Sequence, residues 1–582
     1  MEFVKNIQEI RRNWQPYRVW EIEQQKKDNI DQILRKQNPP SKNDIQKAQQ
    51  YGKTIVDAID IMDRNALDKT EDVSLVIHNY STITMLISLV LGVGLGGLIK
   101  KTSLSKKLPD LKPYWELLGI IISTAIASVG VNIWQTNTSK QASRLARFDT
   151  RNNELKDYKN FVTYTEEQIK TAKETSENSE EEEEIDINFK KIDYNNFQPI
   201  KMHKSSLVTK KYLDSKAKDY NEWKTTFIEK EKNKKEYFTK LEKSLTEDDL
   251  KQAEKERNAI LNAIKKIEKM SNDYSINMKL ATFALSGILT VAGTAVGALL
   301  AGAISLIQKR CNIPNKYNNK LKLLQFSLIT IIPGIASMFA IAPTVKLTKD
   351  AARIGRFKAK QELNSNPELF ITYSDKEREK ISVPDIRMEK NSFWKQLKKD
   401  IISLKTLKKD AEEYFNYLET DYIKEQKVRK ALNKLEIDSS QEQEAKKLQQ
   451  QLFYAFEKID EKQVSFTEDT DAAIDISREV GISIIDFASK LIPIFACAKD
   501  IKRINNGNVP RTLKEVLNVM ASGRLKTTTI IALALPFIIP KFLYLYTIFK
   551  GIQIKKQANM IGIMSAMNDL NDPKNFIIKK EN

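Results

Sequence analysis

Three ionisable residues stand where an apolar stretch has little use for charge. Asp486 and Lys490 lie one helical turn apart inside VGISIIDFASKLIPIFACA, and Lys541 lies inside TTTIIALALPFIIPKFLYLYTIF. A charge in hydrocarbon is costly, so such groups by default raise the question of an ion or substrate path. Asp486, Lys490 and Lys541 form the candidate polar path of this chain. The competing reading is an internal Asp–Lys pair at i, i+4 with Lys541 snorkelling outward, and it carries the greater weight.

Other motifs point to packing rather than chemistry. GVGLGG, from Gly92 to Gly97, formally contains G-x-G-x-x-G. A dinucleotide site needs a preceding strand and an acidic residue about 20 positions later. Here the motif sits in an apolar run ending in Lys100 and Lys101. Small residues four apart let helices approach closely, which makes Gly92, Gly96, Gly293 and Gly297 helix-packing positions. Gly119, Ser123 and Ala127 repeat that spacing.

Catalytic and metal chemistries find little support. The chain has two histidines, His78 and His203, and two cysteines, Cys311 and Cys497. That nearly excludes histidine triads, histidine-rich metal sites and a disulfide framework. No P-loop, HExxH or GxSxG occurs, so no catalytic, cofactor or metal residue is assigned and the chain is expected not to be an enzyme.

The elements that carry these residues divide between two solvents. Charged residues make up 29% of the 582 positions, with a formal net charge of +19. The mean hydropathy of −0.45 is that of a water-facing protein. Yet six apolar runs interrupt it: 81–99, 114–134, 280–307, 323–345, 480–498 and 527–549. At about 1.5 Å rise per residue each can cross a hydrocarbon core of about 30 Å. The expected fold is therefore all-α and polytopic, with about six transmembrane helices arranged as three hairpins and charged helical regions on one face. Basic connections and basic flanks leave the orientation contested, with the long helical regions weakly favoured as cytoplasmic. The anionic-partner reading of the net charge is outweighed by a generally Lys-rich surface, and no nucleic acid is expected. The partners expected are the lipid bilayer, including anionic headgroups, and a protein partner or a second copy of the chain.

The hairpins are bracketed by recurring residues. Behind them stand ASRLARF (Ala142, Arg144, Arg147), AARIGRF (Ala351, Arg353, Arg356) and ANMIGI (Ala558), the last without the arginines. Each then reaches NF or LF at Phe161, Phe370 and Phe576. Ahead of the hairpins, three amphipathic segments align through Ala48, Ala253 and Ala445, then through Ala58, Ala263 and Ala455. The pattern reads as a triplication. Repeat 1 spans 1–165 and an acidic linker 166–220. Repeat 2 spans 221–375, and a degenerate repeat 3 spans 376–582. The function this implies is a non-enzymatic integral membrane scaffold of three hairpin repeats, with a channel or transporter using the third hairpin as the alternative.

Overall fold

Lys, Glu, Gln and Leu tolerate helix well, and 18 Gly and 16 Pro in 582 residues leave few breaks. The computed structural model follows that bias. It describes residues 2–99, 101–102, 115–177, 217–222, 225–226, 229, 246–311, 347–384, 404–459, 462, 500, 502–504, 554 and 557–577. Of these, 87% are helical and none lies in a strand. The longer helices are α1 (Glu2–Gln37), α2 (Lys42–Ile99), α3 (Trp115–Asp149), α4 (Glu166–Glu177), α5 (Glu247–Arg310), α6 over 347–365, α7 (Leu404–Glu419), α8 (Asp421–Asn433), α9 (Ser439–Ile459) and α10 over 557–569. Asn38 and the prolines 39 and 40 separate α1 from α2, whereas Pro16 sits within α1.

The six-span expectation is overturned. Among the described residues no helix is long and apolar enough to cross a membrane. That argues against a polytopic, multi-pass integral membrane protein and removes the basis for three spanning hairpins and for a cytoplasmic-side orientation. An apolar window measures composition, whereas the surface a helix offers depends on what its neighbour covers. The runs at 81–99 and, from Trp115 onward, 114–134 belong to the longer helices α2 and α3, which turn small residues toward each other. Ser88, Gly92 and Gly96 are buried, while Leu91, Leu98 and Ile126 stay exposed. Run 280–307 continues α5 from its charged first half. Runs 323–345, 480–498 and 527–549 lie outside the described residues.

Contact between α2 and α3 is made backbone to backbone. A Cβ at Gly119 would collide with the Gly92 carbonyl oxygen and the Gly96 backbone. One turn on, the Ser123 hydroxyl donates to the Ser88 carbonyl at 2.7 Å. No rotamer change relieves a clash with backbone, so Gly119→Val forces the helices apart. The expected loss is about 1–3 kcal/mol. A denaturant midpoint unchanged from wild type would show that the pair tolerates separation.

The core is organised by three helix segments that start alike. Seven residues ahead of Ala48, Ala253 and Ala445 stand Ser41, Thr246 and Asp438. Ser41 accepts from the Asp44 N–H at 3.1 Å, and Asp44 accepts from the Ser41 N–H at 3.1 Å. Thr246 and Asp249 reciprocate at 3.1 and 3.2 Å. Asp438 accepts from the Gln441 N–H at 2.8 Å. Each cap satisfies end donors that the first helical turn leaves open. Beyond the caps, residues at i, i+4, i+7 face inward: Ile55, Ile59 and Met62 on α2, Ile260, Ile264 and Ile267 on α5, Leu452, Phe456 and Ile459 on α9. All nine belong to one buried cluster.

Three further helices, α3, α6 and α10, end in matching 3-10 turns, Tyr158–Phe161, Pro367–Phe370 and Pro573–Phe576. Their docking order is cyclic. The turn after α3 packs on α9, the turn after α6 on α2, and the turn after α10 on α5. Phe161 meets Phe453 of α9 edge-on, with ring centroids 5.8 Å apart. Phe370 lies so close to Gly52 of α2 that any Cβ there would enter its ring. Gln449 of α9 donates to the Leu155 carbonyl at 2.7 Å, and Arg257 of α5 donates to the Asn571 carbonyl. Leu155 and Asn571 stand thirteen residues past Ala142 and Ala558, so the two bonds are counterparts.

Candidate functional site

Five residues past the aligned alanines of α2 and α5 stand Asp63 and Glu268, and five past those of α3 and α6 stand Arg147 and Arg356. These four meet at one buried point. Arg147 lies 3.8 Å from Asp63 and 4.0 Å from Glu268. Arg356 lies 3.4 Å from Asp63 and 3.6 Å from Glu268, and donates to the Asp63 carbonyl at 3.0 Å. Two guanidinium groups thus alternate with two carboxylates, each charge neutralised by an element distant in sequence. Asp460, the aligned residue after α9, lies outside the described residues. On α10 the matching arginine position is Ile563, which is buried.

A second layer repeats the relation with changed partners. Nine residues past the aligned alanines stand Arg151, Lys360 and Met567. Arg151 sits in the π-helical turn Thr150–Glu154 and pairs with Glu457 of α9 at 2.8 Å. Lys360 pairs with Asp57 at 2.9 Å and Asp60 at 3.8 Å on α2, and with Glu425 of α8 at 3.4 Å. Met567 is buried and uncharged. The aligned acid position on α5 is correspondingly a base, Lys265, whose ammonium lies over the Trp20 ring at 5.4 Å. In this layer two seams of the core are therefore closed by charge, and the third, with Met567, is not.

Burial and neighbouring charge move several of these groups. Desolvation would push the Lys360 ammonium down, but Asp57, Asp60 and Glu425 outweigh it and hold the group well above the usual lysine range. Tyr417, which donates to Glu425 at 2.7 Å, is raised by burial despite the opposing pull of Lys360. Tyr274 is raised by burial and by its 2.7 Å bond to Asp410, which α7 carries. Tyr164 is pushed up to about 12, mainly by burial. Lys265 is lowered by desolvation.

Lys360 and the three tyrosines, all raised, share one sign of linkage, and the lowered Lys265 has the opposite one. A raised folded-state value stabilises the fold in full below the group's unfolded value and loses that stability as pH rises through the folded one. Stability is therefore expected to fall from the ordinary tyrosine value of 10.0 upward, with Tyr164 lost near 12. Tyrosinate absorbance and helical circular dichroism should change together in an alkaline titration. Tyrosines that ionise at their free-peptide value with the helix signal intact would contradict this.

On the far side α1 is clamped. Arg378 donates Nε to Asp31 Oδ1 at 2.8 Å and Nη2 to Asp31 Oδ2 at 2.9 Å, a bidentate buried pair. Ser374 caps the turn bearing it through reciprocal bonds with Glu377. Arg35 donates to the Glu368 carbonyl at 2.7 Å. Tyr17 and Leu34 of α1 are buried against this body.

Beside the ionic layers a groove of about 810 Å³ opens between α2, α4 and α8. Lys360, Asp57, Asp60 and Glu425 lie at one end. Ile61, Val162, Ile169, Val428 and Leu432 give it apolar wall. Among the described residues no group of three His, Cys, Asp or Glu could hold a metal ion.

The residues singled out from sequence fall elsewhere. Asp486, Lys490 and Lys541 lie outside the described residues. Gly92 and Gly96 are buried on α2 against Gly119. Gly293 and Gly297 lie on α5, their surroundings outside the described residues. The ionic core was not singled out by spacing, although Arg147 and Arg356 stand in the recurring motif. The helix Glu166–Glu177, which opens the segment read as an acidic linker, lines the groove. No family model, no curated protein and no solved structure matches this chain.

Proposed function

We propose that this chain is a non-enzymatic helical scaffold, built from three copies of one helical unit and serving as an interaction body. The observation that carries the reading is the cyclic docking order, in which each copy's terminal turn seats on a different copy's core helix. The buried charges support it. Asp63, Glu268, Arg147 and Arg356 engage one another across elements. Such mutual engagement holds the geometry of the elements that carry the charges.

The test replaces the four charges together: Arg147→Met, Arg356→Met, Asp63→Leu and Glu268→Leu. Apolar replacement of a whole buried ionic set is often neutral or stabilising. Proximity labelling in the source cell should give the folded variant the same neighbours as wild type. A variant that keeps its helical signal and unfolding cooperativity but loses those neighbours would show that the charges act in function, and the scaffold reading would fall.

A further inference from the structure

The groove between α2, α4 and α8 is polarised. At its Lys360 end, three carboxylates surround one ammonium, leaving local negative charge. Around the rest of the rim stand Lys53, Lys170, Lys173 and Lys424, all exposed, and none has a carboxylate partner among the described residues. Lys159 and Arg429 add to this rim, the first donating to the Asn433 carbonyl at 3.1 Å and the second to Asn160 at 3.1 Å. Glu166 and Asp421 are the opposing rim acids. Between rim and floor run the apolar walls of Ile169 and Leu432 with the rings of Tyr164 and Tyr422.

Each part of this arrangement restricts the occupant. A volume of about 810 Å³ is within the size range of ligand sites. Apolar walls require apolar groups on the ligand. Lysines on three separate elements are discrete point charges, suited to several carboxylates spaced along one chain. A continuous phosphate backbone would bring its charge onto Asp57, Asp60 and Glu425. We propose that the groove binds an acidic amphipathic peptide segment of a partner protein, its apolar side chains against Ile169 and Leu432 and its carboxylates on the rim lysines. This names a partner class for the scaffold reading and rests on it.

Fluorescence anisotropy on the full chain tests this, using a short labelled synthetic peptide of Glu and Leu at helical spacing. The expected result is saturable binding that weakens with salt, falls roughly tenfold in Lys170→Glu/Lys173→Glu, and vanishes for the same peptide with Gln in place of Glu. Both lysines are exposed on α4, so the variant keeps its fold, which circular dichroism checks. Equal affinity in the variant, or no saturable binding by the wild-type chain, overturns the proposal. So does tighter binding of tripolyphosphate or a single-stranded oligonucleotide at the same lysines, which makes the groove a general anion site. Binding that appears only after Glu180, Glu181, Glu182, Glu183 and Glu184 are changed to Gln assigns the groove to the chain's own acidic run, and likewise overturns it. Failure here with unchanged proximity-labelling neighbours leaves the scaffold reading standing.

Discussion

Arg356→Met is expected to destabilise the chain by about 3–5 kcal/mol, the cost of removing one partner from a buried ionic set. The guanidinium is 8% exposed and lies within 3.6 Å of both Asp63 and Glu268. Methionine fills much of its volume but neutralises neither carboxylate. Arg147 already pairs with both, but its single positive charge leaves one of the two carboxylates unbalanced. The loss should read out as a lower denaturant midpoint with unchanged slope. Adding Glu268→Leu alone should recover part of it, since Arg147 and Asp63 then remain as a balanced pair. A single substitution that costs under about 1 kcal/mol would mean that water reaches the site and that it behaves as a surface pair.

Arg378→Met is expected to act locally instead. The bidentate pair with Asp31 joins α1 to the capped turn at Ser374, both side chains being under a tenth exposed. Removing the guanidinium leaves the Asp31 carboxylate buried, again a cost of about 3–5 kcal/mol. Here that cost can be escaped by release of α1 alone, because the break at Asn38 and the two prolines lets α1 move without α2. Amides of α1 should lose hydrogen-exchange protection while those of α5 and α9 keep theirs. Trypsin should cut at Lys26, Lys27 or Arg35 before the core unfolds. Uniform loss of protection across α1, α5 and α9 would show that α1 is integral to the cooperative unit.

Local features of the fold were legible in the residues, and long-range ones were not. Ser41 with Asp44 announces a helix start because the bonds close within three residues, and the structure makes them. The break at Asn38 and the prolines is equally local. Asp63 and Arg356, by contrast, are nearly three hundred residues apart, and nothing in either helix marks its partner. The groove combines three elements for the same reason. Apolar runs misled differently. Their length suggested free-standing spans, yet Ser88, Gly92 and Gly96 show a strip of α2 covered by α3. Gly119 carried a true packing signal, because close approach depends on small size rather than on sequence distance.

The cyclic docking order also sets a timetable for the ribosome. The turn after α6 finds its seat on α2 already made, and the turn after α10 likewise finds α5. The turn after α3 does not, because its seat is α9, and Phe453 emerges long after Phe161. Until α9 emerges, the Phe161 turn has its smaller contact with α2 but not its main seat, a stage at which exposed apolar groups invite association. Truncations that stop before Ser439 should therefore engage chaperones through 158–164, and completing α9 should release them.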